Sequence, residues 1–100
     1  MIDVTHWERR DGADREELGK SAFALTQALR AGGAASSRFY WVNSDTVVVQ
    51  TDVGESISQA PSSGDAARAL FALGDLARPT SRELWLDPGS GEATYRKAGR

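Results

Sequence analysis

The chain has 100 residues, 40% of them apolar and 26% charged, with a formal net charge of −2 and a sequence pI near 5.3. This is the size and balance of one globular domain, and the mild acidity argues against a dedicated nucleic-acid or anionic-membrane binder. Cysteine is absent and histidine occurs once, which excludes a disulfide scaffold, thiol catalysis, a Cys-ligated zinc or iron–sulfur centre and a His-rich metal site.

Residues 2–9 alternate with a β-branched bias and predict a strand. Ile2, Val4 and His6 point one way; Asp3, Thr5 and Trp7 point the other. Arg10-Asp11-Gly12-Ala13 is a turn. Asp14 is then an N-cap with Glu17 three residues on, a variant of the capping box, and Glu16 and Glu17 suit the positive end of the helix dipole. Leu18, Ala22, Leu25 and Leu29 recur at spacings of four, three and four as one apolar stripe, and Gly32-Gly33 ends the helix.

Residues 37–43 predict a second strand and residues 46–51 a third, joined through the turn chemistry of Asn43-Ser44-Asp45 into an antiparallel hairpin. Residues 52–64, rich in Gly, Ser and Pro, predict a long loop. A second helix starts near Ser63 or Asp65, carries the stripe Ala66, Leu70, Leu73 and Ala77, and stops before Pro79. Residues 82–87 predict a fourth strand and Pro88-Gly89-Ser90-Gly91 a turn. Residues 92–97 suggest a short fifth strand or a tail docked through Tyr95. Phe23-Ala24-Leu25 recurs as Phe71-Ala72-Leu73 at an offset of 48, as a duplicated βαβ unit would leave behind.

The resulting order, β-α-β-β-α-β with a central hairpin, resembles the ferredoxin-like fold over residues 2–87, with 88–100 as a C-terminal extension of a single domain. That resemblance implies an α+β domain: a four-stranded antiparallel sheet with two helices on one face and the other face bare. The aliphatic positions Ile2, Val4, Val42, Leu84 and Leu86, with Tyr40, are expected to face the helices. Alternation then puts Trp7, Phe39, Trp41 and Trp85 on the bare face, an apolar patch large enough to need a cover. A second copy of the chain is the simplest cover. On this ground the chain is similar to the dimeric α+β barrel superfamily, which includes the antibiotic-biosynthesis monooxygenases, muconolactone isomerase and the stress-responsive dimeric barrel proteins. The resemblance implies a homodimer with a small-ligand pocket between sheet and helices. It rests on element order and carries no catalytic residues across.

The residues themselves nominate His6 and Tyr40. Both are expected on the helix-facing side, His6 as a general base or ligand donor and Tyr40 as a phenol that holds a substrate oxygen. A strand-end histidine and a packed tyrosine ring explain the same positions without chemistry. Phe23 and Phe71 fall off their helix stripes, which suits a solvent edge or packing under a loop. Asn43 and Asp45 are explained by the turn, and the clusters Arg9, Arg10 and Arg15, and Arg96, Lys97 and Arg100, read as solvated surface.

No Gly-rich phosphate loop opens a helix and no Gly-x-Ser-x-Gly elbow is present. An RNA reader of this topology needs aromatics on its central strands and a basic surround, and Val47-Val48-Val49-Gln50 supplies neither. No apolar run approaches the roughly 20 residues of a membrane span, and Met1-Ile2-Asp3-Val4 has no signal-peptide character, so a cytoplasmic location is expected. No cofactor is implied. Two function classes stay open. One is a homodimeric barrel that binds a small, mostly apolar molecule and acts as a cofactor-free oxygenase, isomerase or cyclase. The other is a non-enzymatic regulatory or assembly module that binds another protein through its aromatic sheet face.

Overall fold

A computed structural model describes residues 1–53 and 64–86. The elements run β1 (Ile2–Arg9), α1 (Arg15–Ala31), β2 (Ser36–Asn43), β3 (Thr46–Asp52), α2 (Gly64–Leu76) and β4 (Ala77–Trp85). The strands form one antiparallel sheet in the order β2-β3-β1-β4, so the fold is the ferredoxin-like α+β arrangement expected from the element order. The 52–64 loop apart from its ends, the expected fifth strand with Tyr95, and Arg96, Lys97 and Arg100 lie outside the described residues.

The local signals act as their chemistry dictates. The Asp14 carboxylate accepts from the Glu17 backbone N–H at 3.1 Å and caps α1, while Arg30 suits its negative end. Gly33, at φ +114°, turns the chain out of the helix in a conformation that a Cβ would oppose. At the hairpin, Asn43 Oδ1 accepts from the Asp45 N–H at 2.8 Å, an Asx turn.

The end of α2 differs from the expected one. Ala77 opens β4 instead of closing the helix stripe, and Pro79 lies inside the strand opposite Trp7. Among the described residues β4 pairs only with β1, and an edge strand tolerates a residue without an N–H. The register slips beside Pro79: His6 pairs with Ser81 and Trp7 with Pro79, which leaves Thr80 as the extra residue of a bulge.

The larger correction concerns the two sheet faces. Trp7 is 8% exposed and packs in the core with Leu18, Ala22, Leu25, Val47, Val49, Leu73 and Ala77; Phe39 and Trp41 pack against the same cluster. These three aromatics therefore face the helices, not the bare face. Paired residues share a face, so Ile2, Val4, His6, Tyr40 and Val48 point away from the helices. Trp85, paired with Ile2, is there too, and is the one aromatic of the expected quartet found on that side.

The physical reason is size matching. α1 is small where the indoles meet it: Ala22 is fully buried, and the Trp41 indole lies 3.5 Å from where a Cβ on Gly19 would stand. Small helix residues need large sheet residues to close the gap between layers, and indoles fill it where valines would leave voids. Arg15 adds a cation–π contact, its guanidinium carbon 4.1 Å from the Trp41 ring centroid. Replacing Trp7 by Ala is expected to cost about 3–5 kcal/mol in urea melts, whereas Trp85→Ala, on the outer face, is expected to cost under about 1 kcal/mol.

Candidate functional site

The helix-facing side of the sheet changes character along its length. At one end the cross-strand row is Trp41–Val47–Trp7–Pro79; two rows further on it is Ser37–Thr51–Asp3–Leu84. Indoles hold the helices off the sheet at the first end. At the second end the sheet offers short polar side chains, and the helices cannot bend down to meet them. A cavity of about 500 Å³ opens there. Leu25 and Leu29 of α1 and Leu70 of α2 form its roof, and Val49 and Trp7 line the sheet side. Its size and apolar walls with grouped polar residues match small-molecule sites in general.

The polar groups cluster where β1 meets β4. Arg82 grips Asp3 through a fork: Nε lies 3.2 Å from both carboxylate oxygens and Nη2 2.8 Å from Oδ2. Thr5 donates its hydroxyl proton to Asp3 Oδ1 at 3.1 Å. Thr51, also on the cavity wall, shares a buried hydrogen bond of 2.9 Å with Ser37. The hydrogen bond and the charge of Asp3 both raise the Arg82 pKa above its ordinary value, which keeps the guanidinium charged. Asp3 is mostly covered and Arg82 half exposed, so the pair stands at the mouth of the cavity.

His6 and Tyr40 do share a face, as expected, but it is the face away from the cavity. They lie on one row, Tyr40–Val48–His6–Ser81. His6 Nδ1 is 3.1 Å from the Ser81 hydroxyl. Neither ring lines the cavity.

The other charges serve the scaffold. Arg9 pairs with Asp45, Arg10 donates to the Gly74 carbonyl at 2.9 Å and Arg15 to the Ser44 carbonyl at 3.2 Å, tying the turns at one end of the sheet together. Arg78 bonds Glu8 across β1 and β4. Phe23 and Phe71 are exposed, in keeping with a solvent edge. No group of three or more His, Asp or Glu side chains suited to a metal ion occurs among the described residues, and no helix among them is long and apolar enough to cross a membrane.

The sequence reading missed Asp3, Thr5, Thr51 and Arg82. The available signal was the alternation of β1, which places Asp3 and Thr5 on the Trp7 side. Once the helix-facing side is chosen by aromatic bulk, those two polar residues become interior.

No protein-family model and no curated protein matches the sequence. A solved structure from Bacteroides thetaiotaomicron VPI-5482, described as a conserved protein of unknown function and "possible oxidoreductase", is similar in fold. Its TM-score is 0.63 at 16% identity, covering 84% of this chain and 96% of that one.

The Asp3–Arg82 pair contributes little to folding for its geometry, because solvent reaches the guanidinium. Asp3→Ala is expected to change stability by about 1 kcal/mol or less, checked by urea melts at neutral pH.

Proposed function

We propose that this chain is a homodimeric α+β barrel protein that takes a small, mostly apolar molecule into the cavity between its helices and sheet. The cavity carries this reading: about 500 Å³, roofed by Leu25, Leu29 and Leu70, with its polar groups gathered at one end. An interaction module has no use for such a space and would fill it, since close packing there adds stability. In the catalytic form of the reading, the walls orient a reactive substrate while Arg82 polarises its oxygen, as a cofactor-free oxygenase, isomerase or cyclase requires. The oxygenase arm agrees with the description of the Bacteroides protein as a possible oxidoreductase.

The dimer half of the proposal rests on the outer sheet face. Tyr40, Val42 and Trp85 are its exposed apolar side chains, with Ile2 partly buried and Val4 and Val48 buried between them; of the aromatics expected from the sequence only Trp85 is among them. Arg38 and Glu83 end one cross-strand row at the β2 and β4 edges. A two-fold axis along the strands sets Arg38 opposite Glu83 of the partner subunit, so the charges complement each other around an apolar centre. In this reading His6 and Tyr40 belong to the subunit interface.

Two measurements test the halves separately. Light scattering on the intact chain is expected to give a dimer, and Tyr40→Glu a folded monomer; a monomeric wild type overturns the interface and favours a different protein as the cover. Anilinonaphthalene sulfonate is expected to bind with enhanced fluorescence, and Leu70→Trp, which fills the roof of the cavity, to weaken it by about tenfold or more. Unchanged binding in Leu70→Trp overturns the cavity reading.

A further inference from the structure

The hydrogen-bonding inventory at the cavity mouth is one-sided, and it specifies the ligand further. A carboxylate has about four acceptor positions. Those of Asp3 are taken: Oδ1 receives Thr5 Oγ1 and Arg82 Nε, and Oδ2 receives Arg82 Nε and Nη2. A guanidinium has about five N–H donors. Arg82 spends its Nε proton and one Nη2 proton on Asp3, and its remaining donors, both Nη1 protons among them, meet no described residue. Thr5 has spent its only proton on Asp3. The Ser37–Thr51 pair uses one of its two hydroxyl protons in the bond between them. The carboxylate is full and the guanidinium is open, while the hydroxyl oxygens of Thr5, Thr51, Thr80 and Ser81 on the cavity wall keep lone pairs as weaker, uncharged acceptors.

Resting on the cavity reading above, we propose that the natural ligand is a ring-sized apolar molecule bearing a carbonyl or carboxylate oxygen, and that Arg82 receives this oxygen at the cavity mouth. The apolar body lies against Leu25, Leu29 and Leu70, and the oxygen takes the free Arg82 donors while Asp3 holds the fork in place. A donor-bearing ligand, such as an ammonium, finds a saturated carboxylate and an adjacent positive charge, and is rejected. A ligand oxygen gains a charge-assisted hydrogen bond from Arg82 that a hydrocarbon of the same shape cannot make, so the hydrocarbon binds less tightly.

Calorimetric titration of the intact protein with naphthalene, 2-acetylnaphthalene, 2-naphthoate and 2-naphthylmethylammonium tests this. The ketone, the carboxylate or both are expected to bind at least about tenfold tighter than naphthalene, and the ammonium no tighter than naphthalene. Equal affinity for ketone and carboxylate identifies a neutral carbonyl as sufficient; preference for the carboxylate alone identifies charge as the determinant. Arg82→Gln is expected to erase the oxygen preference with naphthalene affinity unchanged, and Arg82→Lys to retain part of it. A tighter ammonium, or a preference that survives in Arg82→Gln, overturns the proposal. Failure of all four to bind overturns the cavity reading instead.

Discussion

The packing of Trp7 and Trp41 between the sheet and the first helix sets the spacing on which the rest of the structure depends. Indoles on the sheet meet Gly19 and Ala22 on α1, and the two layers settle at the distance these bulky side chains demand. A helix is stiff over the length of α1, so the same spacing is imposed on the row Ser37–Thr51–Asp3–Leu84, where three of the four side chains are short and polar. The cavity follows from that mismatch. Changing Trp41 would alter the cavity from outside, since Trp41 sets the spacing without lining the space.

The order of elements was legible because each depends on local chemistry. Alternation marks strands, the stripe from Leu18 to Leu29 marks a helix, and Asp14, Gly33 and Asn43 punctuate them. Which sheet face meets the helices was not legible from alternation, because period two identifies two faces and is silent on which is covered. Ile2 and Val4 look like core and Asp3 and Thr5 look like surface, so a polarity count chooses wrongly. Bulk chooses correctly in β1 and β2, where Trp7, Phe39 and Trp41 fill the space left beside Gly19 and Ala22. In β4 the aliphatic choice holds: Leu84, opposite Asp3, faces the helices, and Trp85, opposite Ile2, faces away.

The site itself was hidden for a different reason. Asp3 and Arg82 lie near opposite ends of the described chain, and only the β1–β4 register, with Thr5 opposite Arg82, brings them together. No spacing rule links two residues so far apart in sequence. Likewise the arginines near the first turn gain their meaning from partners elsewhere: Asp45, Gly74 and Trp41 absorb Arg9, Arg10 and Arg15 into the scaffold. That leaves Arg82, one row beyond Trp7 and Pro79, as the arginine on the cavity wall.

The break in β4 bears on how such a small sheet stays out of trouble. A regular outer strand presents a continuous ladder of unpaired backbone groups, which can recruit any extended segment nearby. Pro79 removes one rung and the bulge at Thr80 twists the next away, so this border is a poor template for adding strands. Growth of the sheet past β4, one of its two borders, is thereby discouraged, and the two ends of the sheet differ in how readily they accept another strand.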